Sequence, residues 1–331
     1  MTKTLCLRLV LRQIALLLSV ALIAFLLVKA APVDPIDAYL GPAMGSVGPA
    51  QRAAIAEAWG LDRALSVQFL GWLGGVVRGD LGQSHSFNAP VADVIAARIA
   101  PSLALAGGAW LLSAGLGYAL GIVAGLGAGR RRGLWRAADR GVTFYAYLVS
   151  ATPGFWFALV MLSVFAVQLG WAPFCCAAPL GQPREAVTWI TRLHHLALPL
   201  ATLTLLGIGP VALHSRQKSL EIYHSDPVLL ARAHGAGPWH ILHHFIARGA
   251  ALPALVVSLA SAGEVVSGAI LAEQVFAWPG LGQAVITAGM QADVALLLAL
   301  TLVLALVVAF ANLLADVLAR QIDPRQGAGG W

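Results

Sequence analysis

Residues 99–129 read IAPSLALAGGAWLLSAGLGYALGIVAGLGAG, a run without a charged side chain between Arg98 and Arg130. A helix needs about 20 mainly apolar residues to cross the hydrocarbon of a bilayer, and this run is longer than that. Its glycines recur with small-xxx-small spacing, which lets helices approach each other closely in a membrane. The run therefore predicts a membrane-spanning helix that starts near Pro101.

The composition extends this prediction to the whole chain. Apolar residues make up 59% of the 331 residues and charged residues only 11%, and the mean hydropathy is +0.80. Soluble domains average roughly 25% charged residues, so a water-facing surface cannot be built from this chain. An all-α integral membrane protein is the predicted fold class, and the formal net charge of +6 indicates membrane orientation rather than a nucleic-acid partner.

About six spans are predicted from the apolar runs, with a bend in the third near Pro153. Their approximate ranges are 9–28, 101 to just before 130, 142–170, 194–215, 250–271 and 294–315. The first run could be a secretory signal, but the stretch Lys29-Ala-Ala-Pro32 is a poor cleavage site and favours an uncleaved span. The resulting division is a first span over 1–29, an extracytoplasmic loop over 30–98, a five-helix core over 99–320 and a tail over 321–331.

The basic residues predict the orientation. An even number of spans puts both termini on one side, and 14 of the 21 Lys and Arg residues lie in the termini and in loops 129–141 and 216–248. The other side carries seven basic and nine acidic residues. By the positive-inside rule both termini are expected in the cytoplasm of a bacterial cell, with the chain in the inner membrane.

The 30–98 loop is too long for a hairpin. It is expected to hold a helical stretch around Pro49–Trp59 and a turn at Gly79-Asp-Leu-Gly82. Trp59, Phe69 and Trp72 would form a small cap against the membrane face.

The predicted cytoplasmic loop 217–247 is the most informative connection. Asp226-Pro227 is a helix-start signal, with Asp226 as N-cap acceptor and proline at the first helical position. A short helix over 228–234 would end at Gly235-Ala-Gly237, and Pro238 would open a second short helix through Trp239 and Phe245. Two short helices joined by glycines would make a rigid protrusion that suits docking to another protein.

Several motifs resemble the membrane subunits of bacterial ATP-binding-cassette (ABC) importers, in the dipeptide, oligopeptide and nickel branch. The motifs are Ala231-Arg-Ala-His-Gly235, Ala272-Glu-Gln-Val-Phe-Ala-Trp-Pro-Gly-Leu-Gly282, Gly60-Leu-Asp62, Arg78-Gly-Asp-Leu-Gly82, Thr152-Pro-Gly-Phe-Trp156, Leu313-Leu-Ala-Asp316 and Asp323-Pro-Arg325. They cover essentially the whole chain. The sequence departs from the branch at Pro227, Leu229-Leu230, His234 and Gly249, which bears on which ATPase the loop fits.

The resemblance implies a type I ABC importer permease, half of a translocation pathway for small peptides. The implied partners are a second homologous permease subunit, two cytoplasmic ATP-binding subunits and an extracytoplasmic substrate-binding protein, with the lipid bilayer around them. The residues expected to couple to the ATPase are Asp226, Leu229, Ala231, Arg232, Ala233, His234, Gly235, Pro238 and Trp239. The chain has no phosphate loop, because none of its three lysines follows the required glycine pattern, so we expect no catalytic residue and no cofactor.

Glu264 is the only acid in the middle of a predicted span. An ionisable group there is costly, so it should face a cavity or a partner group rather than lipid. It could line the pathway and meet a cationic part of the substrate, or it could be a carboxyl that packs between helices. Asp316, near the inner end of the last predicted span, is expected to be a helix-end charge rather than a proton carrier.

The histidines and cysteines predict no metal site. His240 shares a helix face with His243 and His244, but no carboxylate or cysteine is near in sequence, and a docking or solvated face is favoured. Cys175-Cys176 and His194-His195 could form an outer metal relay, although small apolar filler is the favoured interpretation of the cysteine pair. With Cys6 the chain has three cysteines, too few for a disulfide framework.

Other functions remain as alternatives. Nickel or a nickel–metallophore complex is the second cargo within the same family. An ion-coupled secondary transporter would need several acids inside the membrane and an internal inverted repeat, which the sequence lacks. An intramembrane metalloprotease would need an H-E-x-x-H motif, which is also missing, and Ser258, Ser261 and Ser267 are better explained by helix packing.

Overall fold

The structure is a computed structural model that describes residues 3–31, 35–40, 47–58, 60, 62–129, 133–179, 181–182 and 186–322. Within these residues the chain is almost entirely helical, with one two-stranded antiparallel hairpin. The helices are α1 (Lys3–Ala30), α2 (Pro35–Leu40), α3 (Pro49–Ala58), α4 (Leu65–Val77), α5 (Val91–Ser102), α6 (Gly108–Ala128), α7 (Leu134–Ala151), α8 (Gly154–Met161), α9 (Trp189–Tyr223), α10 (Asp226–Ala233), α11 (Pro238–Ile241), α12 (Arg248–Ala260), α13 (Ala262–Val275), α14 (Leu281–Met290) and α15 (Val294–Ile322). The strands are β1 (Gln83–Ser84) and β2 (Ala89–Pro90), and π-helical segments cover Leu103–Gly107, Leu162–Gln168 and Leu242–Ala247.

The described residues contain five helical stretches long and apolar enough to cross a membrane. They are Val10–Ala30, Val91–Ala128, Trp189–Tyr223, Pro238–Ala260 and Val294–Arg320. The pair Leu134–Ala151 and Gly154–Gln168 makes a sixth if it is one broken span. The predicted fold class, an all-α membrane protein with about six spans, is confirmed.

The third predicted span bends where the sequence indicated. Its two halves differ in direction by 106°. Thr152 and Pro153 both adopt extended backbone. For Thr152 the cause is the following proline ring, which disfavours helical geometry in the residue before it. Helix α7 therefore ends at Ala151 and a new helix begins at Gly154.

Two other spans differ from their predicted bounds. Helix α9 has 35 residues and continues to Tyr223, eight residues past the predicted end at Ser215, despite the prolines inside it. At 1.5 Å per residue it is about 50 Å long, well beyond the roughly 30 Å of hydrocarbon. The fifth span, predicted as one helix over 250–271, is instead broken at Ser261 into α12 and α13.

One compact unit comprises residues 1–101 and 279–309. Its core is formed by apolar side chains of α5, α14 and the first part of α15: Val91, Val94, Ile95, Leu281, Ala284, Ala288, Leu296, Ala299 and Leu300. Helix α4, which the sequence did not predict, packs through Phe69 against Phe25 of α1, with ring centroids 5.4 Å apart. The predicted turn at Gly79–Gly82 is present, with positive φ at both glycines.

Asp293 holds the start of α15 within this first unit. Its carboxylate is fully buried and accepts hydrogen bonds from the Ser84 hydroxyl at 2.6 Å, from the Ser86 N–H at 3.0 Å and from the Leu296 N–H at 3.2 Å. The last of these caps the start of α15, and the first two attach the β1–β2 hairpin to it.

The second compact unit comprises residues 102–278 and 310–331. Helices α6 and α9 pack along a stripe of small residues, as the glycine spacing predicted. A β-carbon at Gly121 would come within 2.5 Å of the Ser215 Cβ, and one at Gly125 within 2.7 Å of the Ser219 Cβ. Only glycine allows the two helices to lie this close together.

Candidate functional site

Helix α10 begins one residue earlier than predicted. The N-cap is Ser225, in extended backbone, so Asp226 is the first helical residue and Pro227 the second. The prediction of Asp226 as N-cap acceptor is therefore wrong. The Ser225 hydroxyl donates to the Ile222 carbonyl at 2.7 Å, which fixes the turn out of α9. Asp226 in the first turn and Arg232 in the last complement the helix dipole.

Helix α10 ends at the glycine that the sequence indicated. Gly235 has φ +84°, the left-handed region that a residue with a β-carbon disfavours. The Gly235 N–H donates to Arg232 O and the Ala236 N–H to Ala231 O, each at 2.9 Å. These two bonds form a Schellman motif, which satisfies the last carbonyls of the helix and turns the chain toward Pro238.

One side of α10 is anchored and the other is open. Val228 is fully buried in a cluster with Ile122 of α6, and with Ile241 and Ile246 of the chain that enters α12. Leu229 and Leu230 are 49% and 61% exposed. Helix α10 therefore has one apolar side buried within its own chain and an adjacent pair of leucines exposed on the other.

Pro238 opens a helix, but this helix is not short. Helix α11, the π-helical segment Leu242–Ala247 and α12 follow one another without an interruption of helical backbone, up to Ala260. Trp239 is exposed near its start and stacks edge-on with the His243 ring, at 4.4 Å between centroids. The predicted pair of short helices is therefore one short helix followed by the start of the fifth span.

A tyrosine attaches this helix to α6. The Tyr118 hydroxyl donates to the Ala247 carbonyl, the last of the π-helical segment, at 2.6 Å. Tyr145 of α7 makes an equivalent bond to Leu205 O in α9, also at 2.6 Å. π-Helical turns within α-helices are frequent at functional sites.

The polar residues around α10 are held by contacts that the sequence did not reveal. The Arg232 guanidinium lies 4.0 Å from the centre of the Tyr223 ring, a cation–π contact, while His234 lies exposed at the helix end with Nδ1 2.9 Å from Leu230 O. Ala231 is half-buried and Ala233 is exposed. In the same unit, Asp139 of α7 forms a bidentate ion pair with Arg216 of α9, whose Nη2–Oδ2 distance is 3.1 Å.

Gly249, where the branch usually has asparagine, lies against the end of α9. A β-carbon there would come within 2.7 Å of the Ile222 Cδ1. The Gly249 backbone of α12 therefore lies close to the Ile222 side chain near the end of α9.

Glu264 lies in the wall of a cavity of about 180 Å³ within the second unit. The cavity is lined by residues of α6, α9, α12 and α13, among them Trp110, Ser113, Leu206, Pro210, Ser258 and Val265. Glu264 occupies the first turn of α13, directly after the break at Ser261, where the positive end of the helix dipole favours a negative charge. The break thus places the Glu264 side chain at a helix start that lines the cavity.

The other polar groups of the cavity wall are already hydrogen-bonded. The Ser113, Ser258 and Ser261 hydroxyls donate to backbone carbonyls. The Trp110 indole N–H donates to Ser258 O at 2.9 Å. Among the described residues, no donor or cation contacts the Glu264 carboxylate, which is exposed toward the cavity. Within the described part of the chain, the site offers one carboxyl group without a hydrogen-bond partner in an otherwise satisfied wall.

The histidines are brought together in pairs. His240 and His244 stack at 4.1 Å between ring centroids, and both are exposed. Among the described residues no group of three or more His, Cys, Asp or Glu side chains has metal-binding geometry. Asp316 lies half-buried within the last two turns of α15.

The cysteine pair is not apolar filler, so that interpretation is wrong. Cys175 and Cys176 are joined by a disulfide between adjacent residues. His195 Nδ1 lies 3.2 Å from the carbonyl oxygens of both cysteines, and His194 Nε2 lies 3.1 Å from Trp171 O. The disulfide leaves neither sulfur as a thiolate ligand, and both histidines contact backbone carbonyls. The outer metal relay considered from the sequence therefore has no sulfur ligand here.

Some sequence predictions fall outside the described residues. They are the basic cluster Arg130 to Arg132, residue Trp59 of the expected aromatic cap and the terminal motif Asp323-Pro-Arg325.

The described residues thus place a short, glycine-ended helix between two candidate membrane spans. Residues 117–327 match the family of binding-protein-dependent transport system inner membrane components, and residues 1–106 match the N-terminal part of such components. An oligopeptide transport system permease protein of Bacillus subtilis is 32% identical over 316 residues, which covers 95% of this chain and 96% of that protein. A protein of Brucella ovis named as a peptide permease is 35% identical over 324 residues, or 97% and 98% of the two chains.

The chain belongs to the family of binding-protein-dependent transport system inner membrane components. It is therefore a multi-pass inner membrane protein and the permease subunit of an ABC importer, not itself catalytic. A system of this kind includes an ATPase and a substrate-binding protein as separate partners.

Proposed function

We propose that this permease imports small peptides and that Glu264 lines the pathway. The assignment of peptides as the cargo rests on the similarity, over more than 90% of the chain, to relatives named for peptide or oligopeptide transport. Nickel has no comparable support, because those relatives are named for peptides.

The cavity supports a role for Glu264. A peptide carries a protonated amino group at its N-terminus, and a lone carboxylate in a wall of satisfied hydroxyls is a suitable transient contact for it. One unpaired acid binds a cation weakly, which suits a pathway that must release its cargo. Selectivity would then lie mainly in the binding protein.

The test uses the complex of permease, ATPase and binding protein in proteoliposomes. Glu264→Gln should lower peptide uptake severalfold while the complex still assembles, and Glu264→Asp should retain most uptake. A matched control is Glu221→Gln, which removes an exposed acid that pairs with Lys218. Unchanged uptake in Glu264→Gln would remove the pathway role, and uptake of a nickel chelate instead of peptides would overturn the cargo.

The segment from Asp226 to Trp239 is the proposed ATPase-docking surface, with Leu229, Leu230 and Trp239 exposed and Val228 anchored. Closure of the ATPase around nucleotide would move α10 as a rigid body. Because Val228 packs on α6 and on the helical chain that leads into α12, that movement would reach both.

The conformation of Gly235 allows a sharp test. Gly235→Val places a β-branched residue at φ +84°, so the end of α10 should distort and ATP hydrolysis should uncouple from transport. Gly237→Val is the control, because Gly237 has φ −69° and open space around it. Normal coupling in Gly235→Val, or equal uncoupling in both variants, would contradict docking through α10.

The proposed orientation places both termini and α10 in the cytoplasm, as the distribution of basic residues favours. The proposed assembly has two related permease chains, two ATPases and one extracytoplasmic binding protein. Crosslinking from a cysteine at position 230 in intact cells should capture the ATPase. Labelling of a cysteine at that position by a membrane-impermeant reagent added outside the cells would contradict the proposed orientation and indicate the opposite one.

A further inference from the structure

The disulfide between Cys175 and Cys176 occupies a connection whose role the transport function leaves open. It lies between the π-helical segment that ends at Gln168 and the start of α9 at Trp189. Both cysteines are half-buried, so a small reagent can reach them from the surface. Ala172 and Ala177, on either side of them, pack against the core cluster that contains Phe276 and Trp278.

The disulfide coincides with an unusual backbone. Cys176 has φ +72°, the left-handed region that residues with a β-carbon rarely adopt. In this conformation its N–H donates to the Phe276 carbonyl at 2.9 Å. Phe276 is the C-cap of α13, where carbonyl groups lack partners within the helix. A ring closed between adjacent residues restricts the backbone of both, and here it fixes the one that caps α13.

The same loop is tied to α9 by two histidines. His195 donates toward the carbonyls of Cys175 and Cys176, and His194 toward that of Trp171, since a carbonyl oxygen can only accept. The disulfide therefore sits where the loop bridges the start of α9 and the end of α13. Helix α13 carries Glu264 and other residues of the cavity wall.

We propose that Cys175–Cys176 is a redox modification site, in which the disulfide form supports transport and a dithiol reductant opens it. The dithiol transfers two electrons and two protons: the Cys175–Cys176 S–S bond breaks, two thiols form, and the reductant becomes a disulfide. On the proposed orientation the site faces the extracytoplasmic side, where disulfides persist. The physiological reductant would be a dithiol protein of that compartment.

Reduction should change the backbone. Once the ring is open, Cys176 returns to negative φ, and its N–H leaves the Phe276 carbonyl. The outer end of α13 then loses its cap, and the helix that carries Glu264 is less firmly placed. The transport readout of this inference rests on the proposed function, whereas the chemical state of the cysteines does not.

The first measurement is mass spectrometry of the assembled complex. After alkylation with iodoacetamide under non-reducing conditions, the peptide with Cys175 and Cys176 should be unmodified and two hydrogen masses lighter than the dithiol form. After dithiothreitol both cysteines should be alkylated. Free thiols in the untreated complex would overturn the proposal, even if transport were normal, so its failure is distinct from that of the proposed function.

The second measurement is peptide uptake by the same complex. Dithiothreitol should lower uptake about fivefold. This factor is the expected fall in the population of molecules in which Cys176 keeps the left-handed backbone once the disulfide is open. Reoxidation with diamide should restore uptake. Cys175→Ser with Cys176→Ser should behave like the reduced protein. Cys6→Ser should respond to dithiothreitol like the wild type.

A glycine variant tests the backbone explanation directly. Cys175→Ser with Cys176→Gly has no disulfide, but glycine adopts positive φ freely, so uptake should match the oxidised wild type and ignore dithiothreitol. Uptake as low as that of the double serine variant would overturn the proposal. Wild-type uptake that is unchanged after complete reduction would overturn it as well.

Discussion

The Tyr118 hydrogen bond gives the sharpest test of how the proposed movement of α10 would reach α6. Tyr118→Phe removes only the hydroxyl that donates to Ala247 O and leaves the aromatic ring in the cluster with Val228 and Ile246. A hydrogen bond of this kind contributes about 1 kcal/mol net, a factor of about five in the equilibrium between joined and separated helices. In Tyr118→Phe we therefore expect the number of peptides transported per ATP hydrolysed to fall by at most this factor of about five.

The assay measures uptake and ATP hydrolysis together in proteoliposomes that contain the full complex and its binding protein. Tyr145→Phe is a matched control, because it removes a hydroxyl with the same 2.6 Å bond to a backbone carbonyl, at Leu205. That bond joins α7 to α9 and does not involve the chain near α10. An unchanged ratio in Tyr118→Phe, or an equal loss in Tyr145→Phe, would refute the transmission route through Ala247.

Two further predictions concern the stability of each compact unit, measured as the unfolding midpoint of the purified protein in detergent. Gly121→Ala should lower the free energy of unfolding by roughly 1–3 kcal/mol, because its β-carbon would overlap Ser215. Gly107→Ala is the control, because a β-carbon there meets open space and should have little effect. Similar midpoints for the two variants would refute the close α6–α9 packing. Asp293→Ala should lower the free energy of unfolding by about 2–4 kcal/mol, because it leaves the Ser84 hydroxyl and two backbone N–H groups without their acceptor. Asp293→Asn should lower it less. An unchanged midpoint in Asp293→Ala would contradict the role of Asp293 in attaching the hairpin to α15.

Hydropathy, together with the prolines and glycines that start or end helices, predicted most of the architecture. Uncharged runs located the spans because burial in lipid requires them, and Pro153, Gly235 and Pro238 marked real breaks and ends. These signals are local, so a single sequence displays them. Helix ends were less certain, since Ser225 and Asp226 are both good N-cap residues and only the structure distinguishes them.

The missed features depend on contacts between distant residues. Asp139 and Arg216 pair across 77 positions, and neither is marked by its own neighbours. Helix α4 has 13 residues, too few to indicate a span, and packs through Phe69 on a ring 44 positions earlier. The break at Ser261 has no proline beside it, so an apolar run looked continuous there. The expectations for Glu264 and for the docking residues remain predictions.

The length of α9 bears on how the importer tolerates different lipids. A rod of about 50 Å in a layer of roughly 30 Å leaves about 20 Å outside the hydrocarbon. A bilayer that thins or swells by a few ångströms would therefore slide along the rod without reaching the turn at Ser225. The start of α10 at Asp226, which follows that turn, would then stay outside the hydrocarbon in membranes with shorter or longer acyl chains.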